Sequence, residues 1–350
     1  FDLFLRSRPW DEGDERDEII FSAVTVPDMP ILAQRHGLRT VPLDIDPITT
    51  EWDVAKLEAL IGPNTRAVVL THLYGARLDI GPAVEVARRH GIVVIEDCAE
   101  AYAGPEWTGH AEADLNLFSF GPMKTATAIG GGLVRVRDTE LRERMRSMLE
   151  SDPVQPTSEH LWRLITYGAL KVSSAARLFG MIIAVLEALG IEHQELIHRL
   201  TRSVSPEDLL AKIRQQPCAA LLALLERRLY QGDLPVSRRT ELGRTLFGAL
   251  GPDVDLPTRN AGPHGYWLIP VLISEPEALA RELRGEGFYP MSGRLAVVAD
   301  NGAPGTTSPG AERLVAESVY LSFDPEMPHS ELERLGSIVT AAARKARQGR

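Results

Sequence analysis

Two stretches decide the fold: ARRHGIVVIEDCAEA at 87–101 and LNLFSFGPMKTATAIGGG at 115–132. In the first, a helical pattern closing on Gly91 runs directly into the apolar IVVIED (92–97), and Asp97 stands at the carboxyl end of that predicted strand. In the second, the strand LNLFSF (115–120) is followed four residues on by Lys124, and then by Gly130, Gly131 and Gly132. The same alternation extends outward. EIIFSA (18–23) precedes a helix opened by Pro27 and closed by Gly37, then come LRTVPLD (38–44), a helix from about Trp52 to Ile61, and RAVVLTH (66–72). PAVEVARRHG (82–91) leads into the first quoted strand, and LVRVR (133–137) follows the second. Near-continuous apolar strands separated by helices predict an α/β fold with a mostly parallel central sheet flanked by helices. Ligands of such sheets bind beyond the carboxyl ends of the strands, which points to His72, Glu96, Asp97 and the loop after Phe120.

Composition narrows the class. The chain has 350 residues, 44% hydrophobic and 25% charged, so disorder, collagen and coiled coil are excluded. Asp and Glu exceed Lys and Arg by 48 to 38, and the net charge of −10 argues against a nucleic-acid partner. Two cysteines, Cys98 and Cys218, make no disulfide framework, and a reducing, cytoplasmic location is expected. The longest apolar run, LFGMIIAVL at 178–186, falls well short of the ~20 residues of a membrane span, and no signal peptide is read. Only five lysines occur, at 56, 124, 171, 212 and 345, so a lysine in a Gly-rich apolar setting stands out. The chain starts at Phe1 without Met, which is read as a missing front end.

Three regions are expected: a large α/β domain over 1–150, a helical region over 151–230 linking the domains, and a smaller α+β domain over 231–350. The second has a Pro-marked break (SDPVQPTS) and long amphipathic segments with interleaved Arg163, Lys171, Arg177, Arg199, Arg202, Lys212 and Arg214. Its helix QPCAALLALLERRL (216–229) is strongly patterned. The third offers YWLIPVLI (266–273), a helix EPEALARELRGEG, a Gly/Pro-rich loop at 290–311, SVYLSF (318–323) and a final helix from about 329.

Chemistry concentrates on Asp97 and Lys124. At the end of an apolar strand, Asp97 faces desolvation that favours its neutral form, so a buried cation is its expected partner. A lysine in an apolar pocket is a competent Schiff-base nucleophile. An aspartate for a pyridinium nitrogen plus such a lysine is the minimum that pyridoxal 5'-phosphate (PLP) chemistry requires. Alone, Asp97 reads equally as a helix N-cap and Lys124 as a solvated loop residue.

Read with their neighbours, these segments resemble the sugar aminotransferase family often called DegT/StrS, within the fold-type I PLP enzymes. THLYG (71–75), ARRHGIVVIEDCAEA (87–101), ADLNLFSFGPMK (113–124) and GGG (130–132) carry the resemblance over about 14–137. It continues more faintly through PCAALLALLERRL (217–229), HGYWLIPV (264–271) and AESVYLSFDPEMP (316–328). The resemblance implies that Lys124 holds PLP covalently, Asp97 pairs with its ring nitrogen, and Ser119 donates to its phosphate. It also implies transfer of an amino group from an amino acid, L-glutamate, to a keto group of a nucleotide-linked keto-sugar or keto-cyclitol, in a homodimer with sites at the subunit interface.

Several positions depart from the family pattern. The Gln of the family's Asp-Ala-Ala-Gln is Glu100, expected near the cofactor ring hydroxyl, with an exposed helix glutamate as the alternative. No acid stands in the Gly130–Gly132 run. The Gly-Ser/Thr helix start that anchors phosphate would have to precede Phe1, and Arg214 is the candidate for the residue reaching across the dimer. His72 reads as a cofactor-site residue or as packing, Cys98 as a buried apolar side chain, and His264, Tyr266 and Trp267 as aromatic core, with substrate contact as the alternative. No metal is expected. A PLP-dependent dehydratase or elimination enzyme, and a non-catalytic binding protein, remain as alternatives; retention of Lys124 weighs against the former.

Overall fold

A computed structural model describes residues 1–7, 14–173, 209–230, 234–291, 295–301, 306–321, 323–324 and 326–348. Its centre is a six-stranded sheet of β1 (Glu18–Ser22), β3 (Arg39–Leu43), β4 (Thr65–Thr71), β5 (Val93–Asp97), β6 (Leu115–Ser119) and β7 (Gly132–Val136), in the order β3-β1-β4-β5-β6-β7. All neighbours pair in parallel except β6 and β7, which are antiparallel. The expected mostly parallel sheet is therefore present, with its one reversal beside the lysine loop.

Strand alternation explains why these segments read as continuous apolar runs. Ile19, Phe21, Ala67, Val69 and Ile95 point to one face, packed with residues of α1 (Asp2–Arg6), α2 (Asp28–Arg35) and α5 (Thr139–Ser151). Ile20, Val68, Leu70 and Val94 point to the other, beneath α3 (Val54–Leu60) and α4 (Gly81–Arg89). Local chemistry starts the helices: Asp53 accepts from the Ala55 and Lys56 N–H groups ahead of α3, and Asp138 from Leu141 N–H ahead of α5.

Helices α6 (Thr157–Ser173), α7 (Leu209–Ile213) and α8 (Ala219–Tyr230) follow. The apolar 178–189 face and Arg177, Arg199 and Arg202 lie outside the described residues. Arg214, offered above to a partner subunit, forms a two-pronged ion pair with Asp2 within this chain, both contacts at 2.9 Å.

The C-terminal part gathers a core of its own, including Leu242, Leu246, Ile269, Val271, Leu283 and Val339. It is built from α9 (Leu234–Ala249), β8 (Ile269–Leu272), α10 (Pro276–Gly285), β10 (Ser318–Leu321) and α12 (His329–Gln348), with β8 and β10 antiparallel. Between them, α11 (Pro309–Glu317) begins inside the stretch read as a loop. Pro309 and Gly310 punctuated the sequence, but both sit in the first turn of α11, where Pro's missing N–H costs nothing. Two further short strands, β2 (Val24–Thr25) and β9 (Ala296–Val297), pair across the two parts. Among the described residues no helix is long and apolar enough to cross a membrane.

Candidate active site

The carboxyl ends of β4, β5 and β6 lie side by side, with Thr71 opposite Asp97 and Asp97 opposite Leu117. This register brings His72, Asp97 and Ser119 to one edge of the sheet. The chain then turns through a loop whose two ends meet: Phe120 N–H donates to Gly131 O (3.0 Å), and Ala128 and Gly130 N–H donate to Phe120 O (2.9 and 3.1 Å). A Cβ on Gly132 would stand 2.8 Å from Phe118 O, so the approach of β7 to β6 requires glycine there. Lys124 sits on this closed loop, its own N–H donating to Gly121 O at 3.0 Å.

Asp97 is buried, and among the described residues the one hydrogen bond to its carboxylate comes from Ala99 N–H to Oδ1 (3.0 Å). Burial holds its carboxyl above the ordinary value, against the Ala99 N–H and the charge of Lys124. No cation stands at hydrogen-bond distance among the described residues, and Lys124 acts on Asp97 through its field alone.

Glu100 lies in a turn rather than on an exposed helix face, with 7% of its surface accessible. Its Oε2 accepts the Tyr74 N–H at 2.9 Å. Burial pushes its carboxyl up to about 7; Lys124 and the Tyr74 bond oppose the shift and Asp97 adds to it.

His72 is fully buried and its two ring nitrogens are occupied. Nδ1 accepts the Leu78 N–H (3.2 Å), which leaves Nε2–H to donate to Glu96 Oε1 (2.8 Å). Glu96 Oε2 also accepts from His110 N–H (2.7 Å) and from Asn116 Nδ2. Burial pushes Glu96 up, but these donors outweigh it and hold the carboxylate below its usual range. The His72 main-chain N–H donates to Asp97 O (3.0 Å), so the histidine stands behind Asp97 with no ring nitrogen left over. Cys98 is buried nearby, its thiol raised by burial and by the charges of Glu96 and Asp97, as suits an inert side chain. Ligand-type atoms of His72, Glu96 and Cys98 lie within 4.8 Å of one another, but the His72–Glu96 bond occupies the groups that would face an ion.

Trp267 completes the pocket from the C-terminal part. Its ring lies with its centroid 4.1 Å from Lys124 Nζ, and its Nε1–H donates to Met123 O at 2.7 Å. Trp267 packs against the core of Leu73, Tyr74, Leu268 and Tyr320, as expected of an aromatic core residue, while its half-buried ring also faces the lysine; regular strand begins only at Ile269. What places it is a backbone clamp between 72–77 and 263–268. Gly265 N–H donates to Gly75 O (2.7 Å), Arg77 N–H to Pro263 O (3.0 Å) and Leu268 N–H to Tyr74 O (3.3 Å). Gly75 adopts φ +96°, and a Cβ there would meet Trp267 N at 2.6 Å. HLYG and HGYW are both conspicuous in sequence, yet nothing local announces that they touch.

Aromatic rings wall the same edge: Tyr102 meets Phe120 (5.2 Å) and Phe118 (6.3 Å), and Trp107 meets Phe118 (5.7 Å) and His72 (5.8 Å), all edge-to-face. The site is thus a half-buried lysine under an indole, two buried carboxylates and an apolar wall. Such a setting suits amine chemistry protected from water.

Comparison with known proteins agrees with this geometry. The profile of the DegT/DnrJ/EryC1/StrS aminotransferase family matches residues 4–193, more than half of the chain. The chain belongs to this family. It is 37% identical to GDP-perosamine synthase of Caulobacter vibrioides over 152 residues, 41% of this chain and 40% of that protein. The chain thus matches well under half the length of that relative. It is 26% identical over 352 residues to the UDP-N-acetyl-3-dehydro-alpha-D-glucosamine 3-aminotransferase of Acidithiobacillus ferrooxidans, covering 96% of this chain and 80% of that one. Among solved structures it resembles Helicobacter pylori PseC, an aminotransferase of pseudoaminic acid biosynthesis, with a TM-score of 0.69 at 16% identity over 98% of this chain and 84% of PseC. That likeness shows a shared fold.

Proposed function

We propose that this protein is a PLP-dependent aminotransferase that moves an amino group from an amino acid, L-glutamate, to the keto group of a nucleotide-linked keto-sugar or keto-cyclitol. The observation that carries the reading is the approach of Lys124, on the loop after β6 and under the Trp267 ring, to Asp97 at the end of β5. The residues present fit the cofactor: Asp97 is a buried carboxylate that, among the described residues, takes one hydrogen bond, from Ala99 N–H, and a protonated ring nitrogen would be a cation partner for it. When bound, PLP supplies an electron sink for a carbanion next to nitrogen.

The chain's own groups do the rest. Lys124 Nζ is the amine that would hold the cofactor, and as a free amine it would be placed to carry a proton between neighbouring carbons. Asp97 keeps the ring nitrogen protonated. Ser119 would offer its hydroxyl to the phosphate, and Glu100 would be the carboxyl nearest the ring hydroxyl. His72, with both nitrogens engaged, belongs to the cofactor site through its contact with Asp97. Tyr102, Trp107, Phe118 and Phe120 exclude water from the reacting face.

The reading includes a homodimer in the cytoplasm. An open apolar groove of about 980 Å³, lined among others by Leu133, Leu222, Leu225, Leu229 and Tyr230, supports a partner copy on the β7–α8 side. The test is a half-reaction. L-glutamate added to the PLP-loaded protein should convert its visible absorbance and release the keto acid, and a keto-sugar should restore it. Absence of conversion by any amino donor would overturn the reading.

A further inference from the structure

Among the described residues the Lys124 ammonium makes no hydrogen bond and no ion pair, although two buried carboxylates, Asp97 and Glu100, lie near enough to feel its charge. It meets instead the face of the Trp267 ring, with Nζ 4.1 Å from the centroid. The ring is itself firmly held. Its Nε1–H donates to Met123 O (2.7 Å), while Arg239 on α9 gives Nη2–H to Trp267 O (2.6 Å) and Nε–H to Tyr266 O (2.8 Å). The backbone on both sides of the clamp is strained where it brings the indole in. Tyr74 adopts φ +62° and Tyr266 φ +49°, left-handed conformations that a side chain of this size rarely takes.

We propose that Trp267 is a positioning residue for the reaction: its ring face seats the Lys124 ammonium whenever that amine is free, before the cofactor is held and again after a donor amine has displaced it. The second half of that statement rests on the PLP reading above. An aromatic face suits this task better than a carboxylate. It attracts a cation without taking a hydrogen bond from it and without burying an opposite charge, so the lysine is kept in place and can still leave. A long flexible side chain held in one arrangement beside the site also has less freedom to lose each time it acts. No bond forms or breaks between indole and lysine; the contact is made while Nζ is free and given up while Nζ is covalently held. Because the indole comes from the C-terminal part and the lysine from the sheet, the seat exists only when the two parts are together.

Carbon-13 at lysine Cε reads the seat directly, since the full-length protein has five lysines and Lys124→Arg assigns the signal. In the apoprotein the indole ring current should carry the Lys124 signal upfield of the other lysines, less far in Trp267→Phe and not at all in Trp267→Leu. PLP should move the wild-type signal away, and L-glutamate should return it upfield as the visible absorbance converts. Both variants lose the bond to Met123 O, so the difference between them reports the ring face alone. At saturating L-glutamate, amino transfer should be about three- to tenfold slower in Trp267→Leu than in Trp267→Phe, with the half-saturating concentration unchanged. Three results would each overturn the seat while leaving the cofactor reading intact: a wild-type apo signal no further upfield than that of Trp267→Leu, no return after L-glutamate, or equal slowing in the two variants. A Lys124 signal that PLP does not move overturns the cofactor reading, and reuse of the seat with it. Should Trp267→Leu not fold, the return of the wild-type signal decides by itself.

Discussion

The Lys124 ammonium lies 4.1 Å from the centroid of the Trp267 ring, a contact between residues 143 positions apart. It joins the sheet that carries the lysine to the C-terminal part that carries the indole. The same indole donates to Met123 O, so one side chain holds both the lysine and the backbone before it. Trp267→Phe should keep a ring near Lys124 but leave Met123 O without its donor, costing about 1 kcal/mol in urea unfolding. Trp267→Ala should cost more, because the cation–π contact and the ring's burial go as well.

Lys124→Ala should abolish covalent capture of PLP. Borohydride reduction of the loaded wild type, followed by peptide mapping, is expected to place a pyridoxyl group on Lys124. A label on Lys56, Lys171, Lys212 or Lys345 instead would move the site elsewhere.

Asp97→Asn separates stability from turnover. Burial raises the Asp97 carboxyl, so the folded state favours its neutral form, and its contribution to stability is lost as pH climbs through that raised value. The asparagine variant should therefore melt no lower than wild type at neutral pH in the apo state. Its turnover should fall by well over about tenfold, or ~1.4 kcal/mol of barrier. Turnover within tenfold of wild type would mean that another group holds the ring nitrogen.

Gly75→Ala is expected to loosen the clamp. The residue's φ of +96° and a Cβ 2.6 Å from Trp267 N and 2.8 Å from Tyr266 N combine backbone strain with a clash against backbone. Each effect is of the order of about 1–3 kcal/mol. Denaturant unfolding should show the loss, and fluorescence of the indole should report a displaced Trp267.

Glu100→Gln should also change how the apoprotein responds to pH. Wild-type Glu100 goes from an ordinary 4.5 to about 7 in the folded chain, so its proton is held more tightly folded than unfolded. That stabilisation is full below about pH 4.5 and is lost progressively up to about pH 7, by at most about 3 kcal/mol. The melting temperature of the variant should accordingly gain on wild type between those limits and run parallel above them.

Much of this protein is legible in its sequence because the relevant signals are local. Periodicity over five to seven residues marks β1, β3, β4, β5 and β6, and opening prolines and closing glycines mark helices between them. Strand polarity then puts Asp97 at a carboxyl end and Lys124 in the loop beyond the next strand, before any coordinate is known. What only the tertiary structure decided is what those residues face. The clamp of 72–77 on 263–268, the indole over Lys124, the His72–Glu96 bond and the burial of Glu100 all join segments far apart in the chain. Local pattern does not encode such contacts: the clamp and the indole depend on how two parts with separate cores settle against each other, and the His72–Glu96 and Tyr74–Glu100 bonds on which strand ends the sheet brings side by side. The α11 helix shows the same limit from the other side, for Pro309 and Gly310 break a pattern in sequence yet begin a helix once packing supports it.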